Sequence, residues 1–196
     1  MLDTKTVEVY NKRAKEYSQM GEGKTNKHLV DYVGLLKKGD RVLDLGCGHG
    51  ISSSFMSKAG LVCDPIDASQ KMVELANKKF NIGARVCSFE DLDQSQKYHG
   101  IYASFSLLHV EKSEFLSLLT VLESMLLSSG NLGLGMKLGE GVSRDSLGRF
   151  YAYYSEFELK KFLTNLGLKV INRYSGKDAG LTGDVEPWLF LFGKKP

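Results

Sequence analysis

The chain has 196 residues, which is long enough for one well-buried domain and short for two. Apolar residues make up 42% and charged residues 25%, as in ordinary soluble proteins, and a net charge of +3 carried by scattered lysines argues against nucleic-acid binding. The first residues lack the apolar core of a signal peptide and no apolar run reaches the ~20 residues that span a bilayer, so a cytoplasmic protein without membrane contact is predicted.

Two helices are predicted ahead of the first strand. The first covers residues 4–20, ends at the glycines of Gly21–Gly23, and is followed by a second helix that begins near Thr25. Residues at helical spacing share one face of a helix, and the first helix has four of them. These four are Val7, Tyr10, Ala14 and Tyr17.

A glycine-rich loop follows the first predicted strand. The strand covers residues 42–45, has glycine after it at positions 46, 48 and 50, and runs at once into a helical pattern over residues 51–59. Glycine has no Cβ and tolerates positive φ, so a ligand can lie directly against the backbone. The spacing Gly-x-Gly-x-Gly departs from the dinucleotide fingerprint at its third glycine, which favours a ligand without phosphates.

An acidic residue ends the second predicted strand. Residues 61–66 read as that strand, and Asp67 follows about 20 residues after the glycines, the offset at which a carboxylate meets ribose hydroxyls in nucleoside-binding α/β folds. The alternative for Asp67 is a helix N-cap, but Ser69 is better placed for capping, so ribose binding is favoured.

With these two motifs, the sequence resembles the class I S-adenosylmethionine-dependent methyltransferases from Tyr10 to Lys194. The resemblance implies an α/β fold with a doubly wound, mostly parallel seven-stranded sheet, helices on both faces and an N-terminal helical cap. It also implies S-adenosyl-L-methionine as cofactor and S-adenosyl-L-homocysteine as product. One methyltransferase domain is expected over 1–196, with a helical lid over 1–37 and a substrate-side insertion over 139–154.

The rest of the chain alternates between helical and extended patterns. Only residues 94–99 separate the third strand region from the fourth strand, so any helix there is expected to be truncated. Ser155 and Glu158 form a capping box at the start of the last helix. Helices are predicted over 70–81, 115–127 and 155–166, and strands over 84–88, 100–105, 131–137, 168–174 and 188–193.

Three cysteines, Cys47, Cys63 and Cys87, are an odd number without framework spacing and are expected to be reduced packing residues.

The resemblance assigns parts of the cofactor to the strand ends. The backbone around Gly46 and Gly48 is expected to contact the methionine half, and Asp44 to order the loop or, through water, the cofactor amino group. Ser88 stands where the family usually has an acidic residue that accepts a hydrogen bond from the adenine amino group, a departure that weakens this bond. The expected cofactor-binding residues are Tyr17, Asp44, Gly46, Cys47, Gly48, Asp67, Ala68, Met72, Ser88, Phe89, Phe105 and Ser106.

His109 is the one titratable residue at the reaction end of the fourth strand. It is a candidate general base for an oxygen or thiol nucleophile, because its ordinary pKa lies near neutrality. The alternative is a histidine that fixes the strand end or the cofactor-side loop by hydrogen bonding. In the segment 139–154, Arg149, Tyr151 and Tyr153 are candidate substrate ligands, although the same residues are also suited to packing.

The fourth strand lacks the Asp/Asn-Pro-Pro-Tyr motif of methyltransferases that act on base or amide nitrogens, so a small-molecule acceptor is predicted. No metal site is predicted, and the choice between monomer and homodimer stays open. Two other function classes remain: a nucleoside-binding module without turnover, and a nicotinamide-dependent oxidoreductase, which the glycine spacing disfavours.

Overall fold

A seven-stranded sheet in the order β3-β2-β1-β4-β5-β9-β8 organises the computed structural model, which describes residues 3–20 and 26–196. The strands β1 to β5 pair in parallel, whereas β9 runs antiparallel to both β5 and β8. The doubly wound, mostly parallel seven-stranded fold is thereby confirmed. The strands are β1 Arg41–Leu45, β2 Val62–Asp67, β3 Arg85–Val86, β4 Tyr98–Ser104, β5 Leu126–Lys137, β6 Val142–Arg144, β7 Phe150–Ala152, β8 Lys169–Ala179 and β9 Val185–Lys194.

Six α-helices lie in the described residues, and their starts follow local capping chemistry. The Ser69 side chain accepts a hydrogen bond from the Met72 backbone N–H, and the predicted capping box of Ser155 and Glu158 is formed. The helices are α1 Thr4–Gln19, α2 Lys27–Val33, α3 Ile51–Lys58, α4 Gln70–Phe80, α5 Lys112–Met125 and α6 Glu156–Asn165, with a short 3-10 helix over Leu107–His109. The predicted break at Gly21–Gly23 and the start near Thr25 lie outside the described residues.

The sheet order places a ligand crevice between β1 and β4. The strand β1 pairs with β2 on one side and with β4 on the other, so the connections leave it in opposite directions. Open α/β sheets bind ligands at such a switch point, outside the carboxyl ends of the strands. The ends of β1, β2 and β4, with the residues that follow them, therefore define the region of the site.

Several elements differ in extent from the sequence-based prediction. The third strand has only two residues, and the described segment 87–97 holds turns instead of a helix, as its short length requires. The predicted irregular segment 139–154 contains a hairpin, in which β6 pairs with β7. Strands β8 and β9 are longer than predicted because they continue as a two-stranded ribbon beyond the last paired residue of β5, Lys137.

An aromatic cluster holds α2 against the sheet. The His28 ring, 5% exposed, stacks on Phe190 at 4.2 Å between centroids, and its Nδ1 lies 2.9 Å from the Tyr102 hydroxyl. Tyr32 lies over two strand glycines, since a Cβ on Gly100 would stand 2.5 Å from its hydroxyl oxygen. Burial lowers the pKa of His28 to about 4.

No helix among residues 3–20 and 26–196 is long and apolar enough to cross a membrane.

The lowered pKa of His28 predicts a pH-dependent contribution to stability. The unfolded histidine takes up a proton near pH 6.5 and the folded one near 4, so the contribution is present above 6.5 and is lost as the pH falls towards 4. We expect the unfolding free energy of the wild type, minus that of His28→Phe, to decrease over this window by up to roughly 3 kcal/mol. Chemical denaturation at a series of pH values measures this. Tyr32→Phe removes a non-titrating hydroxyl from the same cluster, so its unfolding free energy should differ from that of the wild type by the same amount at every pH. A difference between the wild type and His28→Phe that is also independent of pH would contradict the assignment.

Candidate active site

The glycine turn after β1 is closed by hydrogen bonds that it donates to β2. The backbone N–H groups of Gly46 and Cys47 both donate to the Ile66 carbonyl at 2.9 Å. Gly46 has a φ of +76°, and a Cβ there would lie 2.4 Å from the Cβ of Ser106. The absence of a side chain at Gly46 thus allows the turn to lie directly against the segment that follows β4.

The Asp67 carboxylate fixes this turn to the start of α4. Its Oδ2 accepts the Gly48 N–H and its Oδ1 accepts the Ser69 N–H, both at 2.8 Å. An ionised carboxylate offers about four acceptor positions, so two remain after these bonds. Burial raises the pKa of Asp67. The N-cap of α4 is Ser69, so Asp67 retains acceptor capacity beside the cleft.

Asp44 and Cys47 lie on the other side of the turn. Asp44 is 1% exposed, accepts a 2.5 Å hydrogen bond from the Ser53 hydroxyl, and has its pKa raised by burial to about 7. Both residues line, with His49 and Ile51, a groove that adjoins the main cleft and shares Gly46 and Phe105 with it, although neither lines the main cleft itself. The Asp44 carboxylate thus joins the end of β1 to α3.

A cleft of about 700 Å³, partly open to solvent, lies over the carboxyl ends of β1, β2 and β4. It brings together ten of the residues predicted from the sequence: Tyr17, Gly46, Gly48, Asp67, Ala68, Met72, Phe89, Phe105, Ser106 and His109. Ser88 does not line the cleft, because the chain turns after the short β3 and the Ser88 hydroxyl donates to Asp91 at 2.6 Å. Sequence reasoning missed the cleft-lining residues Asp3, Thr6 and Val7, whose positions depend on how α1 lies across the sheet.

The helix α1 covers the cleft and is attached on two sides. On one side, the Arg144 guanidinium binds both oxygens of Asp3, at 2.6 and 3.0 Å, and the Phe150 N–H donates to the Thr6 hydroxyl at 2.8 Å. On the other side, the Asn11 side-chain oxygen accepts from the Ser69 hydroxyl at 2.8 Å. The helix therefore bridges the β6–β7 hairpin and the start of α4.

Three polar side chains meet beneath α1. The Tyr10 hydroxyl lies 2.9 Å from His109 Nε2 and accepts from Arg149 Nη1 at 3.1 Å, and His109 Nδ1 lies 2.5 Å from the Phe150 carbonyl oxygen. A carbonyl only accepts, so Nδ1 carries the proton and Nε2 accepts the Tyr10 proton. Burial lowers the pKa of His109 to about 4 and raises that of Tyr10, which keeps both groups neutral. The Nε2 lone pair is therefore engaged by Tyr10.

A second cavity, of about 680 Å³ and also open on one side, adjoins the cleft. It shares the walls formed by Tyr10, Tyr17 and Phe105 and contains the predicted Arg149 and Tyr151. Tyr153 does not line it, but its hydroxyl donates to Glu186 Oε1 at 3.0 Å and supports a residue that does. Sequence reasoning missed the other polar and aromatic wall residues, which come from β5 and the β8–β9 ribbon. They are Lys137, Asp178, Glu186 and Trp188.

Within the part of the chain that the structure describes, no group of three or more histidine, cysteine, aspartate or glutamate residues is arranged to hold a metal ion.

The geometry agrees with comparisons to known proteins. The model of the family described as "Methyltransferase domain" matches residues 17–173. An uncharacterized methyltransferase of Staphylococcus carnosus is 27% identical over 116 residues, which are 55% of this chain and 56% of that protein. A ubiquinone biosynthesis O-methyltransferase of Actinobacillus pleuropneumoniae is 32% identical over 90 residues, which are 43% of this chain and 35% of that protein. The matches thus span about half and about a third of these curated relatives.

A solved structure extends the comparison of the fold. The 1,6-didemethyltoxoflavin-N1-methyltransferase of Burkholderia thailandensis superimposes with a TM-score of 0.74 at 15% identity, covering 98% of this chain and 88% of that one. That structure contains 1,6-didemethyltoxoflavin and S-adenosylhomocysteine. Because the family model covers most of its length, the chain belongs to the methyltransferase domain family.

The contact at Gly46 predicts which glycine tolerates a side chain. Gly46→Ala adds a methyl group that must displace Ser106, so we expect a loss of roughly 1–3 kcal/mol in unfolding free energy beyond the cost of positive φ. Gly39→Ala is the matched control, since Gly39 has a φ of +89° and nothing within 4 Å of its Cβ position. Thermal and chemical denaturation of both variants measures the difference. Equal losses would show that the close approach to Ser106 is not what requires glycine.

Proposed function

We propose that this protein transfers the methyl group of S-adenosylmethionine to a small-molecule acceptor. The observation that carries the proposal is the adjacency of two cavities: one formed by the glycine turn and Asp67, the other by Arg149 and Tyr151, with Tyr10, Tyr17 and Phe105 between them. The family membership, and the pair of ligands in the Burkholderia enzyme, support one cavity for the cofactor and one for the acceptor.

The residues of the first cleft fit S-adenosylmethionine chemically. Gly46 and Gly48 have no side chains to block the methionine half, and the two unused acceptor positions of Asp67 suit the two ribose hydroxyls. Met72 and Phe89 provide apolar walls for the adenine, and Ala68, Ser106 and Tyr17 complete the cleft. Asp44 and Cys47 line the groove that adjoins the cleft at the turn, and the Ser88 hydroxyl would have to leave Asp91 to reach an adenine amino group.

Bound S-adenosylmethionine would supply an electrophilic methyl group together with its own leaving group. The protein has mainly to align the acceptor atom and exclude water, and such positioning can remove roughly 7–11 kcal/mol of the barrier. The helix α1 excludes water by covering the cleft. Tyr10, Tyr17 and Phe105 line both cavities where these adjoin, and Arg149, Tyr151 and Tyr153 shape the acceptor side.

In this proposal His109 is a positioning residue rather than a general base. A base needs a lone pair that faces the acceptor, and the Nε2 lone pair is engaged by the Tyr10 hydroxyl. Because His109 holds Tyr10 from the end of β4 and Arg149 holds it from the hairpin, the two together keep the lid helix closed.

The direct test is formation of S-adenosylhomocysteine from S-adenosylmethionine against a library of small metabolites. Binding of the cofactor without product on any acceptor would favour the alternative of a nucleoside-binding module. A rise in melting temperature with nicotinamide dinucleotide, but not with S-adenosylmethionine, would instead favour an oxidoreductase.

Asp67 provides a quantitative prediction for cofactor binding. Asp67→Asn replaces a charged acceptor by a weaker neutral one, and hydrogen bonds to charged groups contribute roughly 1.5–3 kcal/mol each, so the dissociation constant of S-adenosylhomocysteine should rise about tenfold or more. Isothermal titration calorimetry measures it. Asp64→Asn is the control, because Asp64 lies on the same strand but outside the cleft. Unchanged affinity in Asp67→Asn would remove the ribose role.

The assignment of His109 as a positioning residue predicts coupling to Tyr10. His109→Asn can keep a donor for the Phe150 carbonyl but loses the Nε2 acceptor, and Tyr10→Phe loses the matching hydroxyl. We expect each variant to weaken S-adenosylhomocysteine binding about threefold to tenfold, and the double variant to be no weaker than the single ones. A double-mutant cycle by calorimetry tests this without an acceptor. If His109→Asn abolished turnover while leaving cofactor affinity intact, and Tyr10→Phe did not, His109 would be the base.

A further inference from the structure

The β8–β9 ribbon forms an outer wall of the second cavity. The pairing of β5 with β9 ends at Lys137 and Trp188. The strands β8 and β9 continue to pair beyond that point, where Asp178 lies opposite Glu186. The ribbon therefore extends past the carboxyl end of β5 and places charged side chains beside the acceptor space.

The two cations that line this cavity differ in their bonding. Arg149 is bound by Asp145 through Nε at 2.8 Å and Nη2 at 2.7 Å, and its Nη1 donates to Tyr10, so all three of its nitrogens are engaged. Lys137, whose side chain is only 16% exposed, forms one ion pair, with Glu186. Three of the five N–H bonds of Arg149 are engaged and its side chain is only 3% exposed, so the more exposed Lys137 is the cation that a ligand in the cavity reaches more easily.

An ammonium group carries three N–H bonds. One bond of Lys137 goes to Glu186, and the Tyr151 ring lies on another side with its centroid 4.0 Å from Nζ. The remaining direction can be satisfied by an oxygen atom in the cavity. A poorly hydrated ammonium gains most from an anionic oxygen, because charge-assisted hydrogen bonds are about twice as strong as neutral ones.

The carboxylates of the cavity already have donors. Glu186 accepts from Lys137 and from the Tyr153 hydroxyl, and Asp178, which is exposed to water, accepts from Trp188 Nε1 at 2.7 Å. Water screens the exposed Asp178 more strongly than the buried charges. Each oxygen of Glu186 thus has a protein donor, whereas Lys137 has an N–H bond that no protein acceptor takes.

The remaining walls combine flat aromatic rings with Met20, Leu108 and the ribbon residues 179–181. Phe105 and Trp188 meet edge to face at 6.1 Å between centroids, and Tyr10 and Tyr17 do so at 5.5 Å. Aromatic rings favour offset or edge contacts with another ring, so this arrangement suits a planar aromatic molecule better than a branched aliphatic one.

We propose that the second cavity takes a planar aromatic acceptor that carries a carboxylate or another anionic oxygen, and that Lys137 is the residue that recognises this anion. The inference rests on the proposed function, since it names the acceptor class of the same site. Glu186 opposes binding of the anion because it pairs with the charge of Lys137. Substitution of Lys137 and substitution of Glu186 are therefore expected to change the preference for an anion in opposite directions.

The chain contains its own reporter for this cavity, because Trp188 is its single tryptophan. The S-adenosylhomocysteine-loaded protein is titrated with cinnamate, with its neutral analogue cinnamamide and with the non-planar anion cyclohexanecarboxylate, following Trp188 fluorescence. Cinnamate is expected to bind about tenfold tighter than either comparison ligand.

Substitutions then assign the preference to Lys137. Lys137→Met should abolish the preference for cinnamate over cinnamamide, and Glu186→Gln should increase it, because Lys137 then keeps its full charge. Lys177→Met, an exposed lysine of the same ribbon that does not line the cavity, should leave all affinities unchanged. The S-adenosylhomocysteine affinity of each variant, measured by calorimetry, verifies that the first cleft is intact.

Equal binding of cinnamate and cinnamamide to the wild type, absence of any Trp188 response, or a preference that survives in Lys137→Met would each overturn the inference. Failure of the proposed function has a different signature, because S-adenosylhomocysteine would then either not bind or bind without methylation of an acceptor of any class. Intact binding of S-adenosylhomocysteine without anion preference would therefore reject the acceptor class alone.

Discussion

The two hydrogen bonds accepted by the Asp67 carboxylate hold the central part of the structure together. They tie the glycine turn after β1 to the first residues of α4, so two connections that leave the sheet at different strands share one fixed corner. The close contact of Gly46 with Ser106 brings in the third strand end. A cleft built from three loops acquires in this way the rigidity of the strands beneath it, which a site for alignment of reactants requires.

The helix α1 adds to that corner a cover whose contacts come from distant parts of the chain. Asp3 and Thr6 meet the hairpin near residues 144–150, and Asn11 meets the start of α4. Tyr10 connects the cover to the end of β4 through a histidine whose ring is held by a backbone carbonyl. The position of α1, the shape of the hairpin and the order at the end of β4 are consequently parts of one hydrogen-bonded unit.

Local signals in the sequence predicted the sheet, its helices and the glycine-and-aspartate corner, because strand periodicity, glycine spacing and capping chemistry act over a few residues. The wall of the second cavity had no such signal. Lys137 and Trp188 are neighbours only through the antiparallel pairing of β5 with β9, and the Tyr153 hydroxyl reaches Glu186 across 33 positions of sequence. Ser88 was assigned by its place after the third strand, but with only two residues in that strand the chain turns too early for its hydroxyl to face the cleft.

The distribution of lining residues between the two cavities limits which substitutions can change one cavity alone. Tyr10, Tyr17 and Phe105 line both spaces, so a substitution there changes the shape of both. The ribbon residues Asp178–Leu181 and Glu186 belong to one space only, and their strands are anchored far from the glycine turn. Under the proposed assignment of the two cavities, exchanging the tip of this single hairpin changes the acceptor space and leaves the first cleft untouched.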